Sequence, residues 1–165
     1  TDESFSEIKR MNFLIKPPVA MEYEAVSIHG ITNKMVENAP PFGHFIDEII
    51  DTFHDADVAV AHNISFDKQV LECEFLRLGR SGAFLPEQIF CTMKGSKEMC
   101  ALPSQRHPGK LKSPRLSELH RHLFGVEFDG AHDALVDVLA TGRCLEALLK
   151  RGVFKPEESV QDSLF

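Results

Sequence analysis

Apolar residues recur at helical spacing in several parts of the chain. Residues 42–53 carry such a stripe, formed by Phe45, Ile46, Ile49, Ile50 and Phe53. This spacing predicts an amphipathic helix, because positions three and four apart share one helix face. The same pattern predicts helices over 66–78, 116–124 and 134–149. Weaker patterns predict short helices over 22–28, 33–38 and 92–100, with Asn33 as an N-cap.

Two short apolar runs, residues 57–61 and 88–91, predict buried strands. Residues 7–15 alternate imperfectly and predict a third strand, which Pro17 and Pro18 would end. Residues 102–114 contain four proline or glycine breakers and are expected to form a loop. Because strands alternate with helices, the pattern as a whole predicts an α/β fold.

Length and composition limit the class of protein. The chain has 165 residues, the size of one domain, with 43% apolar and 26% charged residues. No apolar run reaches the ~18 residues of a membrane span, and the polar start is unlike a signal peptide. We therefore expect no membrane association and a cytoplasmic location. The four cysteines form no metal-binding spacing and are expected to be reduced and mostly buried.

The charge balance is acidic, with a net charge of −7. A protein that coats nucleic acid by charge alone is usually basic, so that class is excluded. An acidic enzyme can still act on nucleic acid when metal ions neutralise clustered carboxylates. One segment runs against the balance, because residues 106–115 carry four of the 18 basic side chains. It would either contact the phosphates of a single strand or be a solvated loop.

The first candidate for chemistry follows the predicted strand 57–61 and has the sequence Ala61-His62-Asn63-Ile64-Ser65-Phe66-Asp67. Ligand sites of α/β sheets form where strands end, which favours a functional role for Asp67. In the alternative, Asn63 only caps the next helix, Phe66 belongs to the core and Asp67 is an ordinary surface carboxylate.

The second candidate has the sequence Gly130-Ala131-His132-Asp133-Ala134-Leu135-Val136-Asp137. On a continuous helix His132 and Asp137 would lie about 140° apart, so they converge only if His132 precedes the helix. Gly130 permits that break. In the alternative, His132 or Asp133 caps the helix and Asp137 is solvated.

Together the two segments supply the groups that phosphodiester hydrolysis needs. Asp67 and Asp137 offer oxygen ligands, which favour Mg²⁺ or Mn²⁺ over zinc. His132 is able to exchange a proton near neutral pH and is a candidate general base. A metal ion would activate water and stabilise the leaving oxygen.

The ordered motifs resemble those of the DnaQ-like 3'–5' exonucleases, between about residues 14 and 152. They are Ile28-His29-Gly30-Ile31-Thr32 and the two segments above. The spacing of His132 and Asp137 resembles the DEDDh branch, which includes the proofreading subunit of bacterial replicative polymerase. The resemblance implies a ribonuclease H-like α/β fold with a mixed sheet flanked by helices, and two divalent metal ions, Mg²⁺ or Mn²⁺.

By the same resemblance, Asp67 and Asp137 are metal ligands and catalytic residues, and His132 is the general base. Substrate would be positioned by His29, Gly30, Ile31, Thr32, Asn63 and Phe66. A plainer interpretation of His29 and Gly30 is that they end a helix, where histidine is favourable.

The chain departs from the family at its start. The family's first motif, D-x-E on the first strand, has no counterpart here, since Asp2 and Glu3 are adjacent. We therefore expect the exonuclease domain, residues 1–152, to be N-terminally incomplete and to lack the family's first two strands. Unpaired strand edges and uncovered apolar faces should follow. On its own this chain is expected to be weakly active or inactive.

The polar tail, residues 153–165, ends in Gln161-Asp162-Ser163-Leu164-Phe165. This resembles the Q-x-x-L-F peptide by which bacterial replication proteins dock on the sliding clamp. Gln161, Leu164 and Phe165 would make that contact, whereas the alternative is that Leu164 and Phe165 pack on their own domain.

Three functions remain open on this basis. The leading one is a metal-dependent 3'–5' exonuclease that acts on single-stranded DNA ends and releases nucleoside 5'-monophosphates, in proofreading or repair with a DNA polymerase subunit as partner. The second is a 3'–5' exoribonuclease, which the motifs do not separate from the first. The third is a non-catalytic DnaQ-like binding module of a replication complex.

Overall fold

The structure is a computed structural model that describes residues 1–80, 82, 84–130 and 133–153. In these ranges seven α-helices, one 3₁₀ helix and two strands follow one another along the chain. Their bounds are α1 Tyr23–His29, the 3₁₀ helix Phe42–His44, α2 Ile46–His54, β1 Val58–Ala61, α3 Ile64–Arg77, β2 Gln88–Cys91, α4 Thr92–Gly95, α5 Lys97–Cys100, α6 Leu116–Phe124 and α7 Ala134–Lys150.

The described sheet consists of β1 and β2, which pair in parallel with Val58 opposite Gln88 and Ala61 opposite Cys91. In this part of the chain the sheet is therefore parallel rather than mixed. Parallel strands end at the same edge of a sheet, so the residues after Ala61 and after Cys91 are neighbours. Helices α3 and α7 both contact β1. These two helices carry the two candidate aspartates.

Two predicted elements are wrong. Residues 7–15 form no strand, and Lys16 makes only an isolated bridge to Pro41. A strand needs a neighbour for its backbone groups, and the described sheet offers none to this segment. Residues 33–38 form turns rather than a helix. Asn33 does not cap there, because its side chain bonds to both backbone groups of Met21 at 2.8 and 3.1 Å.

The main apolar core lies between α5, α6 and α7. It is centred on buried Cys100, Leu119, Leu123, Cys144 and Leu148. Burial raises the pKa of the Cys144 thiol to about 11, so it stays protonated near neutral pH. All four cysteines are free, as predicted, but only Cys100 and Cys144 are buried. This core fixes the position of α7 and hence of its first turn.

Several apolar side chains of α3 and α7 are open to water. On α3 the side chains of Phe66 and Val70 are 62% and 46% exposed, and on α7 Val138 is 67% exposed. Both helices contact β1. Among the described residues, no helix combines the length and apolarity that a membrane crossing demands.

Candidate active site

The chain makes a tight turn where β1 gives way to α3. Asn63 stands at the N-cap position with φ of 77° and ψ of 50°, the left-handed region. Its side chain makes no capping hydrogen bond, so the alternative that Asn63 only caps the helix is wrong. Asparagine tolerates left-handed backbone better than most residues, which explains its place in this turn. The turn sets α3 directly behind the strand end.

His62 occupies the same turn and is held on both ring nitrogens. Its Nδ1 lies 3.0 Å from Oγ1 of Thr92, and its Nε2 lies 3.0 Å from the carbonyl oxygen of Pro114. Because a carbonyl only accepts, Nε2 donates to Pro114, while the Thr92 hydroxyl lies 3.0 Å from Nδ1 and 3.4 Å from the carbonyl oxygen of Ala61. Thr92 is fully buried at the start of α4, directly after β2. The ring therefore links the carboxyl ends of both strands to the segment before α6.

Asp67 lies in the first turn of α3, four residues after Asn63. The residue as a whole is exposed, yet neighbouring atoms withdraw its carboxyl from water enough to raise the pKa of Asp67. Phe66 beside it is 62% exposed, so the alternative that Phe66 belongs to the core is wrong. The first turn of α3 thus presents a carboxylate and an aromatic ring to solvent at the carboxyl edge of the sheet.

Asp137 has the corresponding place in the first turn of α7, four residues after the N-cap Asp133. Gly130 has φ of 81°, which supports the predicted break before the helix. Asp133 is the cap, because its Oδ1 accepts from the backbone N–H groups of Leu135 and Val136 at 3.0 and 3.1 Å. Capping of α7 is therefore the task of Asp133 and not of Asp137. His132, the predicted base, lies outside the described residues.

His62 and Asp137 are brought into electrostatic contact. Burial lowers the pKa of His62, while the bond to Pro114 and the negative charge of Asp137 raise it in part. Helix α7, which carries Asp137, also contacts β1. In the described ranges no three histidine, cysteine or acidic side chains converge as a metal site. Asp2 is engaged elsewhere, since its Oδ1 accepts from Ser4 and Ser6 in an N-terminal turn.

In the turn from His29 to Thr32, the first two residues end a helix, as the plainer interpretation of His29 and Gly30 expected. His29 is the last residue of α1, and Gly30 ends the helix with φ of 73°. The Nδ1 atom of His29 accepts from the backbone N–H of Ile31 at 3.0 Å, which fixes the imidazole beside the turn. Thr32 accepts from the N–H of Met35 at 3.3 Å. A helix end and a substrate wall are compatible uses of one turn.

A cavity of about 730 Å³ lies between this turn and α3. His29 and Ile31 line one side, and Val70, Leu71 and Glu74 of α3 line the other. These α3 residues follow Asp67 by three, four and seven positions, so they share its helix face. The cavity thus runs along the face that carries Asp67, and its size falls in the range of ligand pockets.

A second cavity, of about 380 Å³, lies at the amino edge of the sheet, where Asp57 and Gln88 are among its lining residues. It is remote from Asp67 and Asp137, which follow the carboxyl ends.

The predicted partner contacts Gln161, Leu164 and Phe165 lie outside the described residues. The sequence analysis did not single out Thr92 or Pro114, and it considered His62 only as part of a motif. The place of His62 in that motif was the signal that could have identified it.

Comparisons with known proteins identify a family and several relatives. The RNase_T family model, described as an exonuclease, matches residues 1–145. A PolC-type DNA polymerase III of Oceanobacillus iheyensis is 30% identical over 151 residues, which cover 90% of this chain and 10% of that protein. The DNA polymerase III subunit epsilon of Salmonella typhimurium is 32% identical over 100 residues, 60% of this chain and 38% of the relative. The chain thus spans only a minor part of these relatives.

A solved structure is similar over nearly the whole chain. It is that of exonuclease X in complex with 5'-overhanging duplex DNA, with a TM-score of 0.59 and 25% sequence identity. The match covers 94% of this chain and 81% of that one. The ribonuclease H-like α/β fold expected from the motifs is therefore confirmed.

Proposed function

The chain belongs to the exonuclease family that the RNase_T model describes, and on that premise we propose that it acts in the 3'–5' direction. Its substrate is the 3' end of single-stranded DNA, and its products are nucleoside 5'-monophosphates. This activity fits a role in proofreading or repair in the cytoplasm, with a DNA polymerase subunit as partner.

The observation that carries the proposal is the matched placement of two carboxylates. Asp67 and Asp137 each lie four residues after the N-cap of a helix that contacts β1. Both helices therefore begin near the edge where the parallel strands end, the usual position of ligands in α/β folds. His62, which follows β1, is bonded to Thr92 after β2 and to Pro114 before α6.

The side chains present supply part of the oxygen ligands that a hard divalent cation needs. Carboxylate oxygens suit Mg²⁺ or Mn²⁺, so Asp67 and Asp137 would hold two such ions together with further oxygen ligands. The family's D-x-E pair has no counterpart in this sequence. When bound, the ions supply a lowered pKa for water and positive charge for the leaving oxygen.

The remaining roles fall to side chains around the carboxylates. His132 would take the proton of the attacking water as general base. The cavity between His29, Ile31 and the Asp67 face of α3 has room for a terminal nucleoside, with Thr32 and Gly30 in its wall-forming turn. Exposed Phe66 offers a ring for base stacking, and Asn63 shapes the turn beside it.

The test begins with the intact mass of the purified protein, compared with 18.5 kDa for this chain. The same sample is then incubated with Mn²⁺ or Mg²⁺ and a single-stranded DNA labelled at its 3' end or its 5' end. Because the family's D-x-E pair has no counterpart in this sequence, we expect weak but measurable mononucleotide release from the 3' label and a ladder from the 5' label. RNA of the same sequence distinguishes the exoribonuclease alternative, since it differs in the 2'-hydroxyl.

Absence of release with either ion, from DNA and RNA, would contradict the proposed activity and support the non-catalytic binding module. We also propose that Gln161, Leu164 and Phe165 bind a bacterial sliding clamp. A clamp-binding measurement that compares the full protein with its Leu164→Ala and Phe165→Ala variant tests this separately, and equal binding would refute it.

A further inference from the structure

The segment of residues 102–115, called here the basic loop, is a closed hairpin rather than an open connection. Pro103 and Leu111 form an antiparallel bridge, and the N–H of Lys112 donates to the carbonyl of Leu102 at 2.8 Å. The N–H of Ser104 donates to the carbonyl of Lys110, also at 2.8 Å. These bonds fix where residues 105–109 turn back, so the tip of the basic loop has a defined place.

The tip is positively charged in an acidic protein. The basic loop contains no acidic residue, while the chain has a net charge of −7. Lys112 near its base is neutralised by Glu118 of α6. Arg106 and Lys110 at the tip are exposed, and neither is within 4.0 Å of a carboxylate among the described residues. Two exposed cations with no carboxylate nearby in the described part of the chain suit an anionic ligand.

The base of the basic loop is tied to the candidate active site. Pro114 is fully buried, and its carbonyl accepts the Nε2 hydrogen of His62 at 3.0 Å. The other ring nitrogen of His62 is held by Thr92. One histidine therefore joins the carboxyl edge of the sheet to the hairpin that carries Arg106 and Lys110. Movement of the loop away from the site would break this bond.

We propose that the basic loop is a phosphate-binding lip of the active site. Arg106 and Lys110 contact backbone phosphates of the single strand whose 3' end occupies the site. His62 is the positioning residue that holds the lip in place through Pro114. This inference rests on the proposed function, because that function supplies a nucleic acid as the anionic ligand.

The double variant Arg106→Gln and Lys110→Gln tests the lip through the salt dependence of binding. Fluorescence anisotropy with a labelled oligothymidylate of about 16 nucleotides, in EDTA, gives the association constant at several salt concentrations. The slope of log K against log salt concentration is negative. Each lost phosphate contact on a single strand makes this slope less negative by about 0.7. We expect the slope to become shallower by about 1.4.

A matched control makes the same change of net charge elsewhere. Arg121→Gln and Lys150→Gln remove two exposed cations at the far ends of α6 and α7. Their slope should equal that of the wild type. The proposal is refuted if the loop variant keeps the wild-type slope. It is also refuted if the slope of the control variant becomes shallower by the same amount. Because this readout needs no turnover, it is independent of the 3'-label digestion that tests the proposed function.

The role of His62 has its own test in limited trypsin digestion, since trypsin cleaves after Arg106 and Lys110. His62→Ala should speed cleavage at these sites about fivefold, the factor for one ordinary hydrogen bond. His62→Gln, which keeps a donor at the Nε2 position, should restore the slow rate and the binding of the oligonucleotide. Equal cleavage in wild type and His62→Ala would overturn the positioning role. So would a failure of His62→Gln to slow the cleavage.

Discussion

Asp133 and Asp137 lie one turn apart at the start of α7 but do different work. The N–H of Asp137 donates to the carbonyl of Asp133 at 2.9 Å, and only Asp133 uses its side chain to cap the helix. The cap satisfies two backbone donors at the helix start. The Asp137 carboxylate does not cap the helix, and its negative charge acts on His62.

Substitution of these two aspartates should therefore separate stability from chemistry. Asp137→Ala is expected to lower exonuclease turnover by at least about 100-fold, with a nearly unchanged free energy of unfolding. Asp133→Ala removes the cap and should cost about 1 kcal/mol in urea unfolding, with a much smaller loss of turnover. Nucleotide release and urea unfolding measure the two effects. Equal turnover losses in both variants would contradict the division of roles.

His132 should matter through proton transfer. The His132→Ala variant is expected to lose about 10²- to 10⁴-fold in turnover, the usual contribution of a general base. His122→Ala is a suitable control, because that histidine is exposed on α6 away from the site. Its turnover should match the wild type in the same digestion assay. Wild-type turnover in His132→Ala would remove this residue from the mechanism.

The left-handed backbone of Asn63 gives a prediction with two arms. Asn63→Ala should lower the free energy of unfolding by about 1–2 kcal/mol, the cost of a Cβ in this conformation. Asn63→Gly should be tolerated much better, because glycine adopts positive φ readily. If Asn63 also positions substrate, the glycine variant will fold normally yet raise the Michaelis constant. Equal destabilisation by alanine and glycine would show that the backbone conformation is not the cause.

The buried imidazole of His62 should make stability depend on pH. Burial lowers its pKa below 6.5, so between that lowered pKa and pH 6.5 the unfolded chain binds more protons than the folded one. The contribution of His62 to the free energy of unfolding should be fully present above pH 6.5. It should decrease as the pH falls through this window.

Chemical unfolding between about pH 5 and pH 7.5, with His62→Gln as reference, isolates this contribution. The reference is needed because the pKa of Asp67 is raised, which acts with the opposite sign at lower pH. The difference between wild type and variant should decrease as the pH falls. A difference that stays constant or increases would show that the folded protein binds the proton on His62 as readily as the unfolded chain.

The sequence alone predicted the elements whose pattern is local. The strand Gln88–Cys91 and the helix Leu116–Phe124 have the predicted bounds, because apolar spacing and breakers act over a few residues. The same locality placed Asp137 one turn inside its helix, whereas α3 begins two residues before its predicted start and so places Asp67 deeper in the first turn than expected. The strand predicted over residues 7–15 failed because strand formation depends on a partner that the pattern of one segment does not reveal.

What the tertiary structure decided is how distant segments meet at the site. The partners of His62 are Thr92 and Pro114, which lie 30 and 52 residues further along the chain. No spacing rule connects them, since their contact depends on the parallel pairing of β1 with β2 and on the core that fixes α6 and α7. The sequence determined which chemical groups are present and their order. Packing decided that an imidazole ties the strand ends to the basic loop, because only the folded chain brings these groups within hydrogen-bond distance.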